Sequence, residues 1–349
     1  MLRGAIVGLG NVAVHAHLPG WLNREDVEIV AATDVSPARR TALESRLPRA
    51  RWYDSADDLL VREAPDFVDI CTPPGTHAEL IRTALLHRAH VLCEKPLVAS
   101  LEDLTVVTQL ASASERVLFT VHNWRHAPIL THAHELVRRG EIGRLRRIRW
   151  ETTRREPAGH RDGQAGTWRA DPAMAGGGIL VDHGWHAFYL VQEWAGQAPT
   201  GISARLETRR HTQWPVEDTA TIRLEFPDGT ADVFLTWASD QRRNWIEMEG
   251  AGGTIRVEDD VLVLSQSAGR HGDQRWLYRP ALSNGSYHPD WFHGVASEFV
   301  AEVTGSAPRG TNLQVASVCV LLQTLARAGE SNAVRIGRIV SGDCTVRYV

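Results

Sequence analysis

The chain has 349 residues, of which 43 % are hydrophobic and 23 % charged, with a formal net charge of −4. A chain of this length exceeds the size at which a single hydrophobic core usually stops growing, so two domains are expected. The slightly acidic balance argues against nucleic-acid binding, and the sequence has no apolar run long enough for a membrane-spanning helix.

The cysteines and the N-terminus bear on the cellular compartment. Cys71, Cys93, Cys319 and Cys344 show no C-x-x-C spacing, and free thiols in a reducing environment are the simplest explanation of that pattern. The N-terminal stretch MLRGAIVG leads directly into a predicted strand, without the charged and apolar regions of a signal peptide. A cytoplasmic protein is therefore expected.

A glycine-rich turn follows the first predicted strand, Leu2–Val7. It reads Gly8-Leu9-Gly10-Asn11-Val12-Ala13 and matches the G-x-G-x-x-G/A pattern of a dinucleotide-binding turn. The first glycine allows the tight turn, and the second lets the backbone approach a pyrophosphate. The next helix would present free N–H groups to the phosphates. Gly8, Gly10, Asn11 and Val12 are thus predicted to bind the cofactor.

A second strand, over residues 28–33, ends at Asp34. An acidic residue there can accept hydrogen bonds from both hydroxyls of an adenosine ribose, and its charge repels a 2′-phosphate. NAD is therefore favoured over NADP, although Arg39 and Arg40 just beyond would weaken that preference. The alternative is that Asp34 is an N-cap for a helix starting near Pro37.

Strands and helices go on alternating through the first third of the chain. Strands are predicted over residues 66–71, 91–94 and 117–121, and a helix from Thr76 to about residue 90. This alternation predicts a parallel, doubly wound sheet, in which ligands bind beyond the carboxyl ends of the strands. The polar features at those ends are the glycine turn, Asp34, Thr72-Pro73, Glu94-Lys95 and His122-Asn123.

Lys95 is the only lysine among the 38 lysine and arginine residues of the chain. It follows a predicted buried strand, where a compact ammonium can bind a reacting hydroxyl and stabilise charge on it. Pro96, next in sequence, is a candidate for a cis peptide bond that sets the direction of the lysine. The alternative is that Lys95 is a chance survivor of a strong bias towards arginine.

The pattern changes after residue 122. A helix is predicted over residues 128–139, and the following chain shows period-two hydrophobicity, for example over 222–226 and 233–237. These stretches predict a mostly antiparallel sheet. Two helices, over residues 291–303 and 313–328, are predicted near the end.

One helix of the second half carries candidate chemistry. Residues 179–194 are predicted to be helical, and Asp182 and His186 lie four residues apart, so their side chains are neighbours. A carboxylate beside an imidazole orients it and raises its basicity. The glycines at 176–178 would let the backbone approach a ligand closely. The alternative is an ordinary amphipathic helix with its polar face in water.

Metal binding is a rival explanation for the histidines. His122 with His126, or His183 with His186, have spacings that could chelate an ion. No cysteine or further carboxylate completes a tetrahedral set, so no metal is expected. The sequence also lacks a G-x-S-x-G nucleophile elbow.

The motifs together resemble the glucose–fructose oxidoreductase/inositol dehydrogenase (Gfo/Idh/MocA) family. They are GLGNVA, Asp34, TPPGTHAE, EKP, HNWRHAP and GGGILVDHGWH, and they extend over most of the chain. The resemblance implies a doubly wound NAD-binding Rossmann domain over residues 1–122. It also implies an α+β domain over residues 123–349, with a large, open, mostly antiparallel sheet, that binds substrate and forms a homodimer or homotetramer.

The resemblance also implies roles for individual residues. Lys95 corresponds to the lysine that binds the reacting hydroxyl, His186 to the general acid/base, and Asp182 to a carboxylate that binds substrate and supports the histidine. Asn123 and Arg125 belong to an N-x-R motif near the substrate. Cofactor contacts are implied for Thr72, Pro73, His77, Glu94 and Lys95. Trp168, close to the glycine run, is a candidate to stack on a sugar-like ring.

The predicted reaction is a reversible, NAD-dependent oxidation of a secondary alcohol on a sugar, cyclitol, related polyol or amino derivative. Three rivals stay open at this point. The first is a non-catalytic NAD-binding regulator on the same scaffold. The second is a glycoside-cleaving enzyme that oxidises its substrate transiently. The third is a reductase that works on a keto or imine group in the opposite direction.

Overall fold

The computed structural model describes residues 1–159, 168–267, 272–329 and 334–336. The strands within these ranges are β1 (Leu2–Val7), β2 (Val27–Thr33), β3 (Arg51–Tyr53), β4 (Phe67–Ile70), β5 (His90–Cys93), β6 (Leu118–Thr120), β7 (Leu145–Thr153), β8 (Gly201–Glu207), β9 (Thr219–Phe226), β10 (Gly229–Thr236), β11 (Arg243–Gly250), β12 (Gly253–Glu258), β13 (Val261–Gln266), β14 (Gln274–Leu277) and β15 (Val334–Arg335). The α-helices are α1 (Leu18–Leu22), α2 (Pro37–Leu43), α3 (Ala56–Glu63), α4 (His77–Leu86), α5 (Leu101–Ser114), α6 (Pro128–Arg138), α7 (Pro172–Ala175), α8 (Ile179–Ala195), α9 (Pro289–Thr304) and α10 (Thr311–Ala328).

The chain forms two compact units. The first combines Met1–Asn123 with Tyr287–Val320, and the second combines Trp124–Ser286 with the chain from Leu321 onward. The change of pattern after residue 122 therefore coincides with a unit boundary. The sequence assigned Tyr287–Val320 to the second domain, whereas the structure groups it with the first.

The first unit contains a six-stranded sheet with the order β3-β2-β1-β4-β5-β6, and every pairing in it is parallel. This is the strand order of a doubly wound dinucleotide-binding sheet, with the order reversing between β1 and β4. The fold predicted for the first domain is confirmed. The predicted polar features all follow strands of this sheet at their carboxyl ends.

The aromatic core of the first unit explains why α9 belongs to it. Phe292 and Phe299 of α9 are buried against Trp21, which follows the glycine turn, and Phe299 also contacts Phe67 and Phe119 of the sheet. Aromatic pairs of this kind add to the free energy gained by burying apolar surface. The helix therefore serves as part of the core of the parallel-sheet unit.

The second unit contains a nine-stranded sheet among its described residues, with the order β14-β13-β12-β11-β7-β10-β9-β8-β15. Only the β7–β10 pairing is parallel, so the predicted mostly antiparallel sheet is confirmed. In β9, Ile222, Leu224 and Phe226 are buried, while Arg223 and Glu225 between them are exposed. One face of this strand thus packs on the core and the other faces solvent.

No residue of helix α8 is exposed, and most are buried, unlike the amphipathic helix that the sequence left open. His186, a candidate polar residue of this helix, is only 5 % exposed, and Tyr189 one turn further on is 1 % exposed. The opposite side, which includes Ala187 and Val191, is fully buried. The alternative of a polar face in water is wrong, and the polar groups of this helix must find partners within the protein.

The glycines before α8 serve the protein's own packing. Glu217 caps the helix: its Oε1 accepts hydrogen bonds from the N–H groups of Gly178 (3.0 Å) and Leu180 (3.2 Å), and its carbonyl accepts from Ile179 (3.1 Å). A Cβ built on Gly178 would lie 1.9 Å from the Glu217 carbonyl oxygen. The close approach expected of a ligand at this glycine is therefore made by Glu217.

We expect Gly178→Ala to lower the free energy of unfolding by about 1–3 kcal/mol, because the added methyl displaces the Glu217 backbone from the helix N-terminus. Urea denaturation followed by circular dichroism measures this. Gly252→Ala is the matched control, since a Cβ there meets no atom closer than 3.5 Å. Equal stability of the two variants would contradict the capping role.

Two details of the helices differ from the prediction. The helical pattern after the glycine turn begins as a π-helix, Ala13–His17, before α1. Helix α4 ends at Leu86, short of the predicted residue 90, and Arg88 beyond it adopts a left-handed conformation (φ 60°). None of the helices in the described ranges is long and apolar enough to cross a membrane.

Candidate functional site

The two glycines of the turn in the first unit differ in what surrounds them: a side chain at Gly8 would clash with the protein, whereas one at Gly10 would touch no atom of the described residues. Gly8 has φ +88°, and a Cβ there would lie 2.7 Å from Thr72 Cγ2. A Cβ on Gly10 would meet nothing within 4 Å. The protein's own packing does not demand a glycine at position 10, whereas close approach of a pyrophosphate does. The turn therefore fits a dinucleotide.

Asp34 holds the same turn in place. Its Oδ2 accepts a hydrogen bond from the Leu9 N–H (2.6 Å), and its Oδ1 accepts one from the Ser36 N–H (2.7 Å). Ser36, and not Asp34, occupies the N-cap position of α2, so the capping alternative is not observed. The carboxylate lies at the carboxyl end of β2 beside the glycine turn, where ribose recognition is predicted.

The segment after β4 is braced by hydrogen bonds. Thr76 precedes α4 as predicted, but its hydroxyl lies 2.7 Å from Thr72 Oγ1 and does not cap the helix. His77 is fully buried, with Nε2 2.9 Å from the Thr72 carbonyl oxygen and Nδ1 2.9 Å from that of Pro96. Burial lowers the pKa of His77 despite these two carbonyls. His77 thus ties the Thr72-Pro73 segment to the Lys95-Pro96 turn, and the cofactor contact predicted for it stays a prediction.

Lys95 lies two residues beyond the end of β5, in a partly buried position. The Lys95–Pro96 peptide bond is cis, as the sequence suggested. The backbone N–H of Lys95 donates a hydrogen bond to Oε2 of Glu94 (2.9 Å). Glu94 is itself buried, with 9 % of the residue exposed. The carboxylate expected near the cofactor therefore also organises the turn that carries the lysine.

Sequence reasoning missed a buried polar chain beneath this turn. His17 Nε2 lies 2.9 Å from Glu94 Oε1, and its Nδ1 lies 2.9 Å from Asp69 Oδ2. The indole N–H of Trp21 donates to the same Asp69 oxygen (2.7 Å). A buried charged residue in the middle of an apolar strand, as Asp69 is in FVDI, was the available signal, because such a group needs a partner.

His17, Asp69 and Cys71 also have the geometry of a possible cation site, since their donor atoms lie within 4.8 Å of one another. Burial raises the pKa of the Cys71 thiol far above its usual range, so it is a poor metal ligand. His17 Nδ1 and Asp69 are already joined by a hydrogen bond, which Trp21 supports. Hydrogen bonding accounts for this cluster.

His122 and Asn123 follow β6. His122 is 1 % exposed, and its Nδ1 lies 3.2 Å from Asn312 Nδ2, while Asn312 also bonds to both backbone groups of Thr120. Asn123 Oδ1 is buried and has no hydrogen-bond partner in the described part of the chain. A buried acceptor of this kind at the ligand-binding edge can receive a donor from a bound molecule.

In the second unit, His186 is held by two aromatic residues. Its ring stacks on Trp124 (centroids 4.8 Å apart, 16° between planes), and its Nδ1 lies 3.2 Å from the Tyr189 hydroxyl. The same hydroxyl accepts a hydrogen bond from the Trp124 N–H (2.9 Å). This arrangement fixes the direction of the imidazole, as a proton-transfer group requires.

Asp182 lies one helical turn before His186 and is surrounded by cationic or titratable groups. Its Oδ1 lies 3.7 Å from Arg169 Nε, and its Oδ2 lies 3.7 Å from His183 Nε2. Burial, together with the charge of Arg242, lowers the pKa of Arg154 to about 10, and Asp182 opposes that shift. The support of His186 by Asp182 stays a prediction.

Two other predicted substrate residues have partners of their own. Arg125 NH2 donates a hydrogen bond to Glu193 Oε1 (3.3 Å) at the far end of α8. Trp168 is 37 % exposed, and the Arg169 guanidinium lies 4.2 Å from its ring centroid. Binding of substrate by either side chain stays a prediction.

The first unit thus gathers the glycine turn, Asp34, Thr72-Pro73, Glu94-Lys95 and Asn123 on the carboxyl edge of its parallel sheet. In the second unit, Asp182 and His183 lie on one turn of α8 and His186 lies on the next, with Trp124 stacked on His186.

Two family models match the chain. Residues 2–122 match the model described as an oxidoreductase family with an NAD-binding Rossmann fold. Residues 130–256 match the GFO/IDH/MocA C-terminal domain. Together the two matches cover most of both units.

Named relatives and solved structures agree with these matches. Myo-inositol 2-dehydrogenase of Thermotoga maritima is 27 % identical over 289 residues, which are 79 % of this chain and 82 % of that protein. Trans-1,2-dihydrobenzene-1,2-diol dehydrogenase of Bos taurus is 30 % identical over 240 residues, 68 % of this chain and 67 % of that one. The structure of a levoglucosan dehydrogenase in complex with NADH superposes with a TM-score of 0.85 at 18 % identity, covering 97 % of this chain and all of that one (100 %).

Proposed function

The chain belongs to the GFO/IDH/MocA oxidoreductase family and carries its NAD-binding Rossmann fold, and from that premise we propose that it oxidises a secondary alcohol of a cyclic polyol, with Lys95 and His186 acting on the reacting hydroxyl. The chain is an NAD(P)-dependent dehydrogenase of CH–OH groups, and NAD is its cofactor. The observation that carries the proposal is the position of the only lysine, at the carboxyl edge of the NAD-binding sheet.

In the proposed mechanism the protein orients the substrate and removes the proton from the reacting hydroxyl. Bound NAD supplies the acceptor for a hydride from the substrate carbon. Lys95 Nζ donates a hydrogen bond to the reacting oxygen and stabilises the negative charge that develops on it. The His186 imidazole takes the hydroxyl proton, and the Trp124 ring with the Tyr189 hydroxyl keeps it aimed.

The substrate class is proposed from the relatives' names. Myo-inositol and a dihydrobenzene-1,2-diol both carry neighbouring secondary hydroxyls on a six-membered carbon ring. We propose that this chain oxidises a secondary hydroxyl on a six-membered ring that carries neighbouring hydroxyls, either a cyclitol, a pyranose sugar (whose ring includes one oxygen) or an amino derivative of either. A screen of cyclitols, amino-cyclitols and pyranosides with NAD, followed by the absorbance of NADH, tests this. Turnover of open-chain alcohols alone would contradict it.

Cofactor choice is proposed to depend on Asp34. We expect Asp34→Ala to weaken NAD binding by roughly 10–100-fold, because two charge-assisted hydrogen bonds within the turn and the contact with the ribose are lost. Asp34→Asn keeps an acceptor and removes the charge, so NADP binding should improve relative to NAD. Tryptophan fluorescence titration measures both affinities. Unchanged NAD binding by Asp34→Ala would refute the ribose role.

Assembly and location remain proposals. We propose a homodimer or homotetramer, which sedimentation velocity would test, with a monomer at micromolar concentration as the contrary result. The cytoplasmic location stays a prediction from the cysteines, of which Cys71, Cys93 and Cys319 are buried and form no disulfide within the described residues. The dehydrogenase relatives give no support to a non-catalytic regulator, and no contact in the described residues favours glycoside cleavage over net oxidation.

A further inference from the structure

A buried chain of hydrogen bonds ends at the backbone of the only lysine. It runs from the Trp21 indole to Asp69, from Asp69 to His17, from His17 to Glu94, and from Glu94 to the Lys95 N–H, with every distance between 2.7 and 2.9 Å. Asp69 and His17 are 0 % and 1 % exposed. Burying polar groups this deeply costs free energy, so this series of hydrogen bonds needs an explanation beyond packing.

The local backbone brings His17 to this place. The helix after the glycine turn begins with a π-helical stretch, Ala13–His17, and π-helical turns are frequent at functional sites. The wider turn ends at His17, which reaches Asp69 on β4 and Glu94 at the end of β5. Phe292 of α9 covers the imidazole, with ring centroids 4.0 Å apart. The ring is therefore held on both edges and on a face.

The charges of the chain indicate an imidazolium. Each ring nitrogen of His17 faces a carboxylate, and both can donate only when the ring is protonated. Burial is the largest single influence and opposes the charge, but the charges and hydrogen bonds of Asp69 and Cys71 together raise the pKa of His17 well above its usual value. Burial likewise tends to raise the pKa of Glu94, and the hydrogen bond and charge of His17 lower it overall. One cation therefore stabilises two buried anions.

The groups that face His17 are few. Asp69 and Cys71 contact it from the β4 side, and Glu94 from the end of β5, whereas Trp21 and Phe292 add no charge. Burial keeps Cys71 protonated as a thiol by raising its pKa. His17 is thus the only cation in direct contact with either carboxylate among these neighbours, apart from the lysine that follows Glu94.

We propose that His17 is a positioning residue that sets the direction and the charge environment of Lys95 through Glu94. The imidazolium fixes the Glu94 carboxylate through one oxygen, and the other oxygen accepts the hydrogen bond from the Lys95 backbone N–H. The negative charge of Glu94 is thereby kept next to the residue that carries the ammonium. His77 holds the other side of the turn through the Pro96 carbonyl. The proposal rests on the catalytic role proposed above for Lys95.

The device has a pH window. Because the pKa of His17 is raised on folding, its contribution to the stability of the folded protein is complete below about pH 6.5 and is lost as the pH rises through the folded-state pKa. Because the pKa of Glu94 is lowered on folding, its contribution to stability is complete above about pH 4.5 and is lost as the pH falls through the folded-state pKa. The positioning of Lys95 needs both charges in the folded protein, so it is lost at low pH as the pH falls through the lowered pKa of Glu94 and at high pH as the pH rises through the raised pKa of His17.

The single lysine makes a direct test possible. Reductive methylation with ¹³C-formaldehyde labels only the N-terminal amine and Lys95, so one lysine methyl signal reports its surroundings without any turnover. In the wild type this signal should be displaced from its position in the urea-unfolded protein, and His17→Gln should move it towards that position. His15→Gln is the matched control, because His15 is exposed and lies in the same π-helical turn.

Activity and cofactor binding give the second readout. His17→Gln should bind NAD as the wild type does, lower kcat by up to roughly 10²-fold through misplacement of the lysine, and lose the alkaline limb of the kcat profile that titration of His17 produces. A folded His17→Gln with an unchanged lysine signal and an unchanged pH profile overturns the proposal.

Two further measurements keep the outcome decisive. If His17→Gln does not fold, the ¹⁵N shifts of the wild-type imidazole decide: two protonated ring nitrogens at pH 7.5 support the proposal, and one bare nitrogen overturns it. If Lys95→Met keeps full turnover, the proposed function fails, while the lysine signal in His17→Gln still shows whether His17 sets the surroundings of Lys95.

Discussion

Lys95→Met is expected to lower kcat by about 10²–10⁴-fold, the usual contribution of a positioned group that stabilises charge and manages a proton at a reacting oxygen. Methionine keeps the length and the apolar stem but removes the ammonium. NAD affinity should change little, because the glycine turn and Asp34 are untouched. Steady-state kinetics on the substrate found by the screen, together with fluorescence titration of NAD, separate the two effects.

Lys95→Arg makes this test sharper. Arginine keeps the positive charge but replaces a compact ammonium by a planar fork that cannot occupy the same space or release a proton. It should therefore restore little of the lost turnover. Arg82→Met, which removes an exposed cation paired with Glu79 on α4, is the control and should behave as the wild type. Near-normal turnover of Lys95→Met would remove Lys95 from the mechanism.

His186→Asn is expected to cost a further large factor, again about 10²–10⁴-fold in kcat, because the substrate hydroxyl loses the group that accepts its proton. The rate of the variant should keep rising with pH, as hydroxide replaces the missing base, whereas the wild type should level off and then fall along the alkaline limb that His17 produces. Asparagine retains a polar atom for the Tyr189 hydroxyl, so the packing against Trp124 is disturbed less than by alanine.

Two companions test whether this loss is chemical and not structural. Tyr189→Phe removes the hydroxyl that contacts both His186 and the Trp124 N–H, and it should reduce kcat by a smaller factor than His186→Asn does. His132→Asn, on α6 of the same unit, should leave kcat unchanged. If His186→Asn retained normal turnover with its thermal midpoint intact, the proton acceptor would have to be another residue.

Local patterns were enough to predict most of the architecture. The glycine turn, the alternation of strands and helices and the period-two stretches predicted both sheets, and β1 has the predicted limits. Several elements were not predicted individually, among them α3, α5 and β14. The sequence placed Tyr287–Val320 in the second domain, whereas its contacts group it with the first unit. Amphipathic helices show which face is buried but not which sheet covers it.

The candidate site was only partly predictable. Lys95, Asp34 and the glycine turn could be located from the sequence because each follows a strand of a parallel sheet. Residues that follow parallel strands all lie at the carboxyl edge of the sheet. His17 could not be found in this way. Its partners Asp69 and Glu94 are 52 and 77 residues away in sequence, and no local pattern pairs side chains at such distances.

The amino-acid sequence by itself determined the family, the order of chemical groups along the sheet edge and the identity of the lone lysine, since these depend on residue type and local periodicity. Only the tertiary structure decided that the glycines before α8 accommodate Glu217, that His186 is packed between Trp124 and Tyr189, and that an imidazole bridges two buried carboxylates beneath Lys95. The physical reason is that burial removes water as a partner, so each polar group must be paired with whatever the folded chain brings within hydrogen-bond distance.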